Sequence, residues 1–196
     1  MKKNQINIEE KIKEFDNLIA QLSDTRRKEI ELMMEKIGER YFTSPASYKT
    51  ELHNCFGGGL LIHSLCTVKN LKEICGLWYS EASADSMITV GLFHDLGKIG
   101  AINGEMLYIP VSETWKVQRG QLYDYNKNIK DGLTHAQRSA RLLSYFQVSL
   151  TDEEYIALLF HDGLYKTENI CFNNTCTKLA LLLHWADHWA TVGEKL

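Results

Sequence analysis

The feature that most constrains this chain is a repeated one: strongly apolar, helix-spaced stretches end in a histidine or aspartate, or are interrupted by one. These positions are His63, His94, Asp95, His161 and Asp187. A carboxylate in such a stretch is costly to bury alone, so it needs a cation, a hydrogen-bond network or a metal ion. Any one of the histidines alone indicates a core residue with satisfied hydrogen bonds. The repetition instead favours a metal site at the centre of a helical bundle.

Helical spacing of apolar residues runs through most of the chain and predicts an all-α fold. The two prolines, Pro45 and Pro110, leave few forced helix breaks. Helices are predicted over residues 6–22, 25–44, 60–74, 84–96, 133–147, 151–160 and from about 177 onward. Thr151 and Glu154 predict a capping box at the start of one of them. Residues 106–125 alternate loosely between apolar and polar, which predicts a short β-hairpin.

The first two predicted helices form an N-terminal helical pair. We expect residues 1–48 to be a helical extension that packs on a core formed by residues 49–196. This pair either completes the core or mediates a homodimer, and the charges on its outer face are expected to be solvated. The glycine run at residues 57–59 lacks the following lysine and serine or threonine of a phosphate loop. It therefore predicts a close approach of the backbone at a helix start.

Composition excludes several classes of protein. Apolar residues make up 44% of the 196 residues and charged residues 24%, so the chain can bury a core and is not disordered. The longest apolar stretch is far shorter than the ~20 residues of a membrane helix, and no signal peptide is visible. The five cysteines are an odd number in a chain too long for a disulfide-bonded miniprotein, so with no visible signal peptide we expect a cytoplasmic protein with reduced thiols. The net charge of −3 gives no global reason to bind nucleic acid or an anionic membrane.

Several of these segments together resemble a known family. His63, the doublet His94-Asp95 within GLFHDLGK, and Asp187 within LHWADHWAT resemble the H…HD…D signature of the HD-domain metal-dependent phosphohydrolases. The segment THAQRSARLL and the later HDG at 161–163 resemble a subset that adds two histidines. That subset includes dinuclear phosphodiesterases and 3′→5′ exoribonuclease-like HD proteins. The resemblance covers about residues 50–195 and implies an HD-domain helical bundle that carries the hairpin as an insertion.

The resemblance also implies a set of site residues. The implied metal ligands are His63, His94, Asp95, His135, His161 and Asp187. Asp95 would bridge two divalent ions, the first held with His63, His94 and Asp187 and the second with the remaining two histidines. Lys98 would contact a substrate phosphate or stabilise the leaving group, so Asp95 and Lys98 are the candidate catalytic residues.

Some positions near this set leave alternatives open. Asp162 stands where many dinuclear relatives have a second histidine, and it is a replacement ligand, a partner of a ligand or a cap of the next turn. The sequence is therefore compatible with a site for one metal ion and with a site for two. His184 and His188 share a helix face with Asp187 and are expected to support the ligands. His53 precedes the glycine run and is a candidate for the wall of the pocket, with a direct metal ligand as the alternative.

The resemblance implies a metal-dependent phosphohydrolase in which metal-bound hydroxide cleaves a phosphomonoester or phosphodiester of a nucleotide or short oligonucleotide. Imidazole and carboxylate ligands without cysteine suit one or two ions of Mn, Fe, Ni, Co or Zn, and Mg is compatible with a carboxylate-rich position. The expected partner is a phosphorylated small molecule such as a nucleotide, with short nucleic acid also compatible and no membrane. The alternative is a catalytically silent HD module that binds a nucleotide or scaffolds a partner.

Overall fold

Helices account for most of the residues that the computed structural model describes, which are 7–163, 169 and 176–193. In chain order the elements are α1 (Ile8–Ile19), α2 (Asp24–Thr43), α3 (Gly59–Trp78), α4 (Ala84–Phe93), a 3-10 helix (Leu96–Ile99), β1 (Tyr108–Pro110), α5 (Thr114–Gln118), β2 (Tyr123–Tyr125), α6 (His135–Tyr145), α7 (Asp152–Phe160) and α8 (Lys178–Gly193). This architecture confirms the predicted all-α fold with a short β-hairpin. Within these residues, no helix combines the length and the apolar character needed to cross a membrane.

The predicted short hairpin is present. Strands β1 and β2 run antiparallel over three residues each, with Tyr108 opposite Tyr125 and Pro110 opposite Tyr123. Helix α5 lies in the connection between the strands, and the loose alternation of residues 106–125 did not predict it. Lys116 on α5 forms an ion pair with Asp124 on β2 at 2.6 Å, which holds this helix against the strand.

Helix α3 is the central helix of the fold, since it packs most extensively on α4 and α8 and also contacts α1 and α2. The largest fully buried side chains are Tyr41, Phe93, Ile30, Met33, Ile37, Leu60, Leu61, Leu71, Ile88, Leu92, Leu96 and Ile99. They come from α2, α3, α4 and the 3-10 helix, so the N-terminal helices and the rest of the chain share one apolar cluster. The domain division at residue 48 stays a prediction, as does a homodimer through the N-terminal pair.

Aromatic side chains join the N-terminal pair to the end of α4. The ring centroids of Phe15 and Tyr41 lie 5.7 Å apart, and those of Tyr41 and Phe93 are also separated by 5.7 Å. The Tyr41 hydroxyl donates to the Leu92 carbonyl oxygen at 2.7 Å, so this fully buried phenol is hydrogen-bonded. The N-terminal helices therefore support the segment that leads into His94.

One charge on α2, that of Arg26, is buried, and the sequence did not predict this. The Arg26 guanidinium donates to the two carboxylate oxygens of Glu154 at 3.2 and 3.1 Å and to the Thr89 hydroxyl at 2.9 Å. Burial of a charge is tolerated when its partner carries the opposite charge and the hydrogen bonds are made. The fork-shaped guanidinium satisfies both conditions here. The contact links α2, α4 and α7.

Capping boxes fix the first residues of α6 and α7. The predicted box is present, since Glu154 N donates to Thr151 Oγ1 at 3.2 Å and Thr151 N donates to Glu154 Oε2 at 2.9 Å. A second box, formed by Thr134 and Gln137, begins α6. Because Thr134 is the N-cap, His135 is the first residue of α6, and the capping box fixes the position of its backbone.

Candidate metal centre

The side chains that the sequence singled out as ligands lie together between the helices. They are His63, His94, Asp95, His135, His161 and Asp187. His94 and His161 directly follow α4 and α7, and His135 begins α6, so three helix ends deliver imidazoles to one place. His63 and Asp187 come from the interiors of α3 and α8.

A glycine allows the segment that carries Asp95 to lie directly on α6. A Cβ atom at Gly97 would be 2.1 Å from the His135 carbonyl oxygen, so no other residue fits there without movement of the backbone. Gly97 N donates to Ser139 Oγ at 2.7 Å, and this hydroxyl donates to the His94 carbonyl oxygen at 2.6 Å. The close packing and these hydrogen bonds hold the His94-Asp95 backbone against the start of α6.

The Asp95 carboxylate lies between two pairs of histidines. Its Oδ2 atom is 3.5 Å from His63 Nε2 and 3.6 Å from His94 Nε2. Its Oδ1 atom is 3.3 Å from His135 Nε2 and 3.5 Å from His161 Nε2. Each carboxylate oxygen therefore faces a different imidazole pair.

Each histidine pair has a further carboxylate of its own. Asp187 Oδ1 lies 2.9 Å from His63 Nε2, and Asp162 Oδ2 lies 3.4 Å from His135 Nε2. We define the first donor group as His63, His94, Asp187 and Asp95 Oδ2. The second donor group is His135, His161, Asp162 and Asp95 Oδ1. Of the alternatives that the sequence left open for Asp162, its position favours that of a ligand.

Backbone carbonyls orient one imidazole in each donor group. The Nδ1 atoms of His94 and His161 lie 3.0 Å from Gly91 O and 2.8 Å from Leu158 O. Because a carbonyl oxygen can only accept a hydrogen bond, both Nδ1 atoms carry the proton. Their Nε2 atoms then present lone pairs to the centre, which is the usual arrangement for metal-binding histidines.

The spacing within each donor group fits a divalent cation. Atoms that bind one ion at ~2.1 Å lie about 3.0 Å apart in an octahedral arrangement and about 3.4 Å apart in a tetrahedral one. The Nε2 atoms of His63 and His94 are 3.1 Å apart, and those of His135 and His161 are 3.2 Å apart. Asp95 Oδ1 is buried and lacks a hydrogen-bond partner in the described part of the chain, which is expected of a ligand oxygen. These buried groups can hold metal ions.

Lys98 controls the charge of the shared carboxylate. Burial alone would raise the pKa of Asp95, but the Lys98 ammonium 2.5 Å away and the surrounding imidazoles hold this pKa well below its ordinary value. Burial would in turn lower the pKa of Lys98, and the Asp95 carboxylate raises it above its ordinary value. Both side chains are therefore charged at neutral pH, and Asp95 is in the form that binds cations.

The two histidine pairs are also affected by burial. Burial lowers the pKa of His63 and of His135. Burial would lower the pKa of His161 as well, but its contacts with Asp95 and Asp162 raise it above the ordinary value. Of the two adjacent rings in the second donor group, His161 is thus the one that takes up a proton in the absence of a cation.

A cavity of about 350 Å³ opens onto the donor groups. Its walls include His53, Lys98, His184, His188 and Thr191. His184 and His188 share a face of α8 with Asp187, as predicted, and the Nδ1 atom of His184 lies 2.7 Å from the His161 carbonyl oxygen. His184 therefore holds the backbone of a candidate ligand.

Two supporting residues of this site were not found from the sequence. The Ser139 hydroxyl donates a hydrogen bond to the backbone of the His94 segment, and a serine within a helix gives no sequence signal for that role. Thr134 orients the start of α6, and the spacing T-x-x-Q with Gln137 is a capping signature that could have identified it.

Comparisons of the chain with protein-family models, with curated proteins and with solved structures gave no match.

Proposed function

We propose that this chain is a metal-dependent phosphohydrolase of the HD-domain type that cleaves a phosphomonoester or phosphodiester of a nucleotide or short oligonucleotide. The observation that carries the proposal is the placement of Asp95, whose two carboxylate oxygens face different donor groups. A carboxylate shared in this way suits two adjacent divalent ions, and such pairs of ions serve phosphate ester hydrolysis.

Divalent ions in the two donor groups would supply the chemistry by lowering the pKa of bound water and neutralising phosphate oxygens. The part of the chain itself is to hold the donors in place. The carbonyls of Gly91 and Leu158 fix two of the imidazole rings, and Ser139 fixes the backbone next to Asp95. Donors that are already oriented do not lose conformational freedom when the site forms. With two imidazoles and two carboxylates in each group, Mn, Fe, Ni, Co or Zn are the expected ions, and Mg is compatible.

Lys98 is the candidate for direct contact with the substrate phosphate. Its side chain is 12% exposed, its Nζ atom bonds Asp95, and it lines the cavity beside the donor groups. A compact ammonium in an enclosed site stabilises negative charge that develops on a phosphoryl group. The cavity volume of about 350 Å³ lies at the lower end of the range for small-molecule sites.

Elemental analysis of protein purified without chelator tests the metal site. We expect up to two transition-metal ions per chain, and we expect Asp95→Asn to lose both because both donor groups share this carboxylate. Asp16→Asn is the matched control, since Asp16 is an exposed carboxylate on α1 and its replacement leaves the ion content unchanged. A wild-type chain that binds no divalent ion would contradict the proposal.

Hydrolysis assays test the activity. The substrates are nitrophenyl phosphate, bis-nitrophenyl phosphate and a panel of nucleotides, each with Mn²⁺ and with Mg²⁺. We expect Lys98→Ala to lower kcat/KM by about 100-fold, as is typical for loss of a group that stabilises transition-state charge. No turnover of any substrate, together with thermal stabilisation by a nucleotide, would instead support the nucleotide-binding alternative.

A further inference from the structure

His53 lies beside the candidate metal centre but outside both donor groups. Its ring centroid is 4.5 Å from that of His63, and the side chain lines the cavity. Each of the four ligand imidazoles has its Nε2 atom within 3.6 Å of a carboxylate oxygen. His53 makes no such contact with any carboxylate among the residues that the structure describes. One of its ring nitrogens lies within 4.8 Å of candidate ligand atoms of His63 and Asp95. His53 is thus at the edge of the first donor group, where it can face either the ion or the group that the ion binds.

The two ring nitrogens of His53 are in different environments. The Nε2 atom is buried and has no hydrogen-bond partner within the described ranges of the chain. A buried N–H without a partner is rarer in proteins than a buried acceptor without one. Burial of Nε2 therefore favours the tautomer that carries the proton on Nδ1. Since the side chain is partly exposed and lines the cavity, Nδ1 is the nitrogen that remains to donate into it.

The loop that carries His53 is held firmly in place. The Ser47 hydroxyl donates to the His53 carbonyl oxygen at 2.6 Å, and Ala46 N donates to the Asn54 carbonyl oxygen at 3.1 Å. A Cβ atom at Gly59 would lie 2.0 Å from that Asn54 oxygen, so the glycine run allows the loop to pack on the start of α3. This is the close backbone approach that the sequence predicted. The imidazole is thus presented from a fixed backbone, as a binding group requires.

We infer that His53 is a phosphate-binding residue, whose Nδ1–H donates a hydrogen bond to a phosphate oxygen of the substrate; this inference rests on the proposed function. An unprotonated phosphate oxygen only accepts hydrogen bonds, so it complements the proton on Nδ1. Lys98 lines the same cavity and carries positive charge. The two side chains together give the phosphate one neutral donor and one cationic donor that belong to the protein.

Binding of inorganic phosphate to the full-length, Mn²⁺-loaded protein tests the inference. Isothermal titration calorimetry compares the wild type with His53→Ala, His53→Asn and His53→Gln, and elemental analysis is done on each sample. The Asn side-chain amide places its N–H near the position of Nδ1, and the Gln amide places it near Nε2. We expect His53→Ala to weaken phosphate binding about tenfold, since a hydrogen bond to a charged group is lost. We expect His53→Asn to restore most of that loss, His53→Gln not to restore it, and the ion content to stay unchanged.

The results that would contradict the inference differ from the result that would contradict the proposed function. Loss of an ion in His53→Ala would show that His53 is a ligand and would overturn the inference. Unchanged phosphate affinity in His53→Ala, or rescue by Gln and not by Asn, would overturn it as well. A wild-type protein that binds no Mn²⁺ would contradict the proposed function, and that failure is visible before any variant is measured. Because His53→Asn keeps a polar side chain of similar shape, it provides a test even if His53→Ala does not fold.

Discussion

Replacing Gly97 by alanine perturbs the packing that positions Asp95. The new Cβ atom would lie 2.1 Å from the His135 carbonyl oxygen and 2.9 Å from Arg138 Cβ. Non-bonded heavy atoms pack at about 3.5–4 Å, so the 3-10 helix and α6 must separate by more than ~1 Å. The neighbour at 2.1 Å is a backbone atom of α6, so rotation of a side chain cannot relieve the overlap.

The expected cost follows from this overlap. Overpacking in a well-packed interior costs about 1–3 kcal/mol, and a backbone clash belongs at the upper end of that range. A loss of ~3 kcal/mol lowers the Tm of a domain of this size by about 6–12 °C. The same separation moves His135 away from Asp95, and metal sites tolerate changes of only about 0.2 Å in ligand position. We therefore expect Gly97→Ala to lose the ion of the second donor group before that of the first.

Scanning calorimetry and elemental analysis measure the two effects. Gly76→Ala is the matched control, because Gly76 lies in α3 with no atom within 4 Å of an added Cβ. Alanine is favoured over glycine inside a helix by ~1 kcal/mol, so this control has an unchanged or higher Tm. A Gly97→Ala protein with the wild-type Tm and full ion content would refute the reasoning. It would show that a side chain at residue 97 fits against α6 at no cost in stability.

Three further predictions concern contacts that lie outside the donor groups. Glu154→Gln removes the bidentate counter-charge of the buried Arg26 guanidinium and leaves only the longer ion pair with Glu29 at 3.9 Å, so the free energy of urea unfolding falls by about 3 kcal/mol; a fall below ~1 kcal/mol would contradict this. The hydrogen bonds from Arg138 lower the pKa of Asp131. The ion pair therefore contributes fully to the free energy of unfolding above pH ~4, and this contribution is lost as the pH falls through the lowered pKa. The stability difference between wild type and Asp131→Asn, ~1 kcal/mol at pH 7, should therefore shrink in acid, and a constant difference would exclude the ion pair as its cause. Burial raises the pKa of the Cys75 thiol to about 11, so iodoacetamide at pH 8 should label it far more slowly in folded than in unfolded protein, as mass spectrometry would show.

The sequence was sufficient to single out His63, His94, His161 and Asp187 because each ends or interrupts an apolar helical stretch, whereas His135 was named as a ligand only from the family resemblance. His63 and Asp187 lie inside such stretches, and His94 and His161 follow directly after them. Buried helices must converge on one another, so polar groups that they carry inward meet in the core. The helical fold and the capping box at Thr151 could be predicted for the same reason, since periodicity and capping are local properties.

Other features of the structure could not be predicted, because they depend on contacts between segments that are far apart in sequence. Asp162 could be assigned a place only after the end of α7 was seen beside His135. The buried ion pair of Arg26 was not predicted, because its own helix gives no sign of Glu154, which lies far along the chain. Helix α5 is too short to produce a helical period, so residues 106–125 resembled a simple hairpin.

The aromatic contact between the N-terminal helices and α4 has a consequence for how this chain tolerates change over evolution. Tyr41 touches Phe15 and Phe93, and its hydroxyl bonds the carbonyl of Leu92, two residues before His94. A substitution at any one of these rings changes the volume that it fills, and the other two must change to keep the cluster closely packed. Replacements at the three positions should therefore be inherited in compensating combinations, so that Phe15 and Tyr41 covary with Phe93, the residue just before the histidine-aspartate doublet, although they are far apart in sequence.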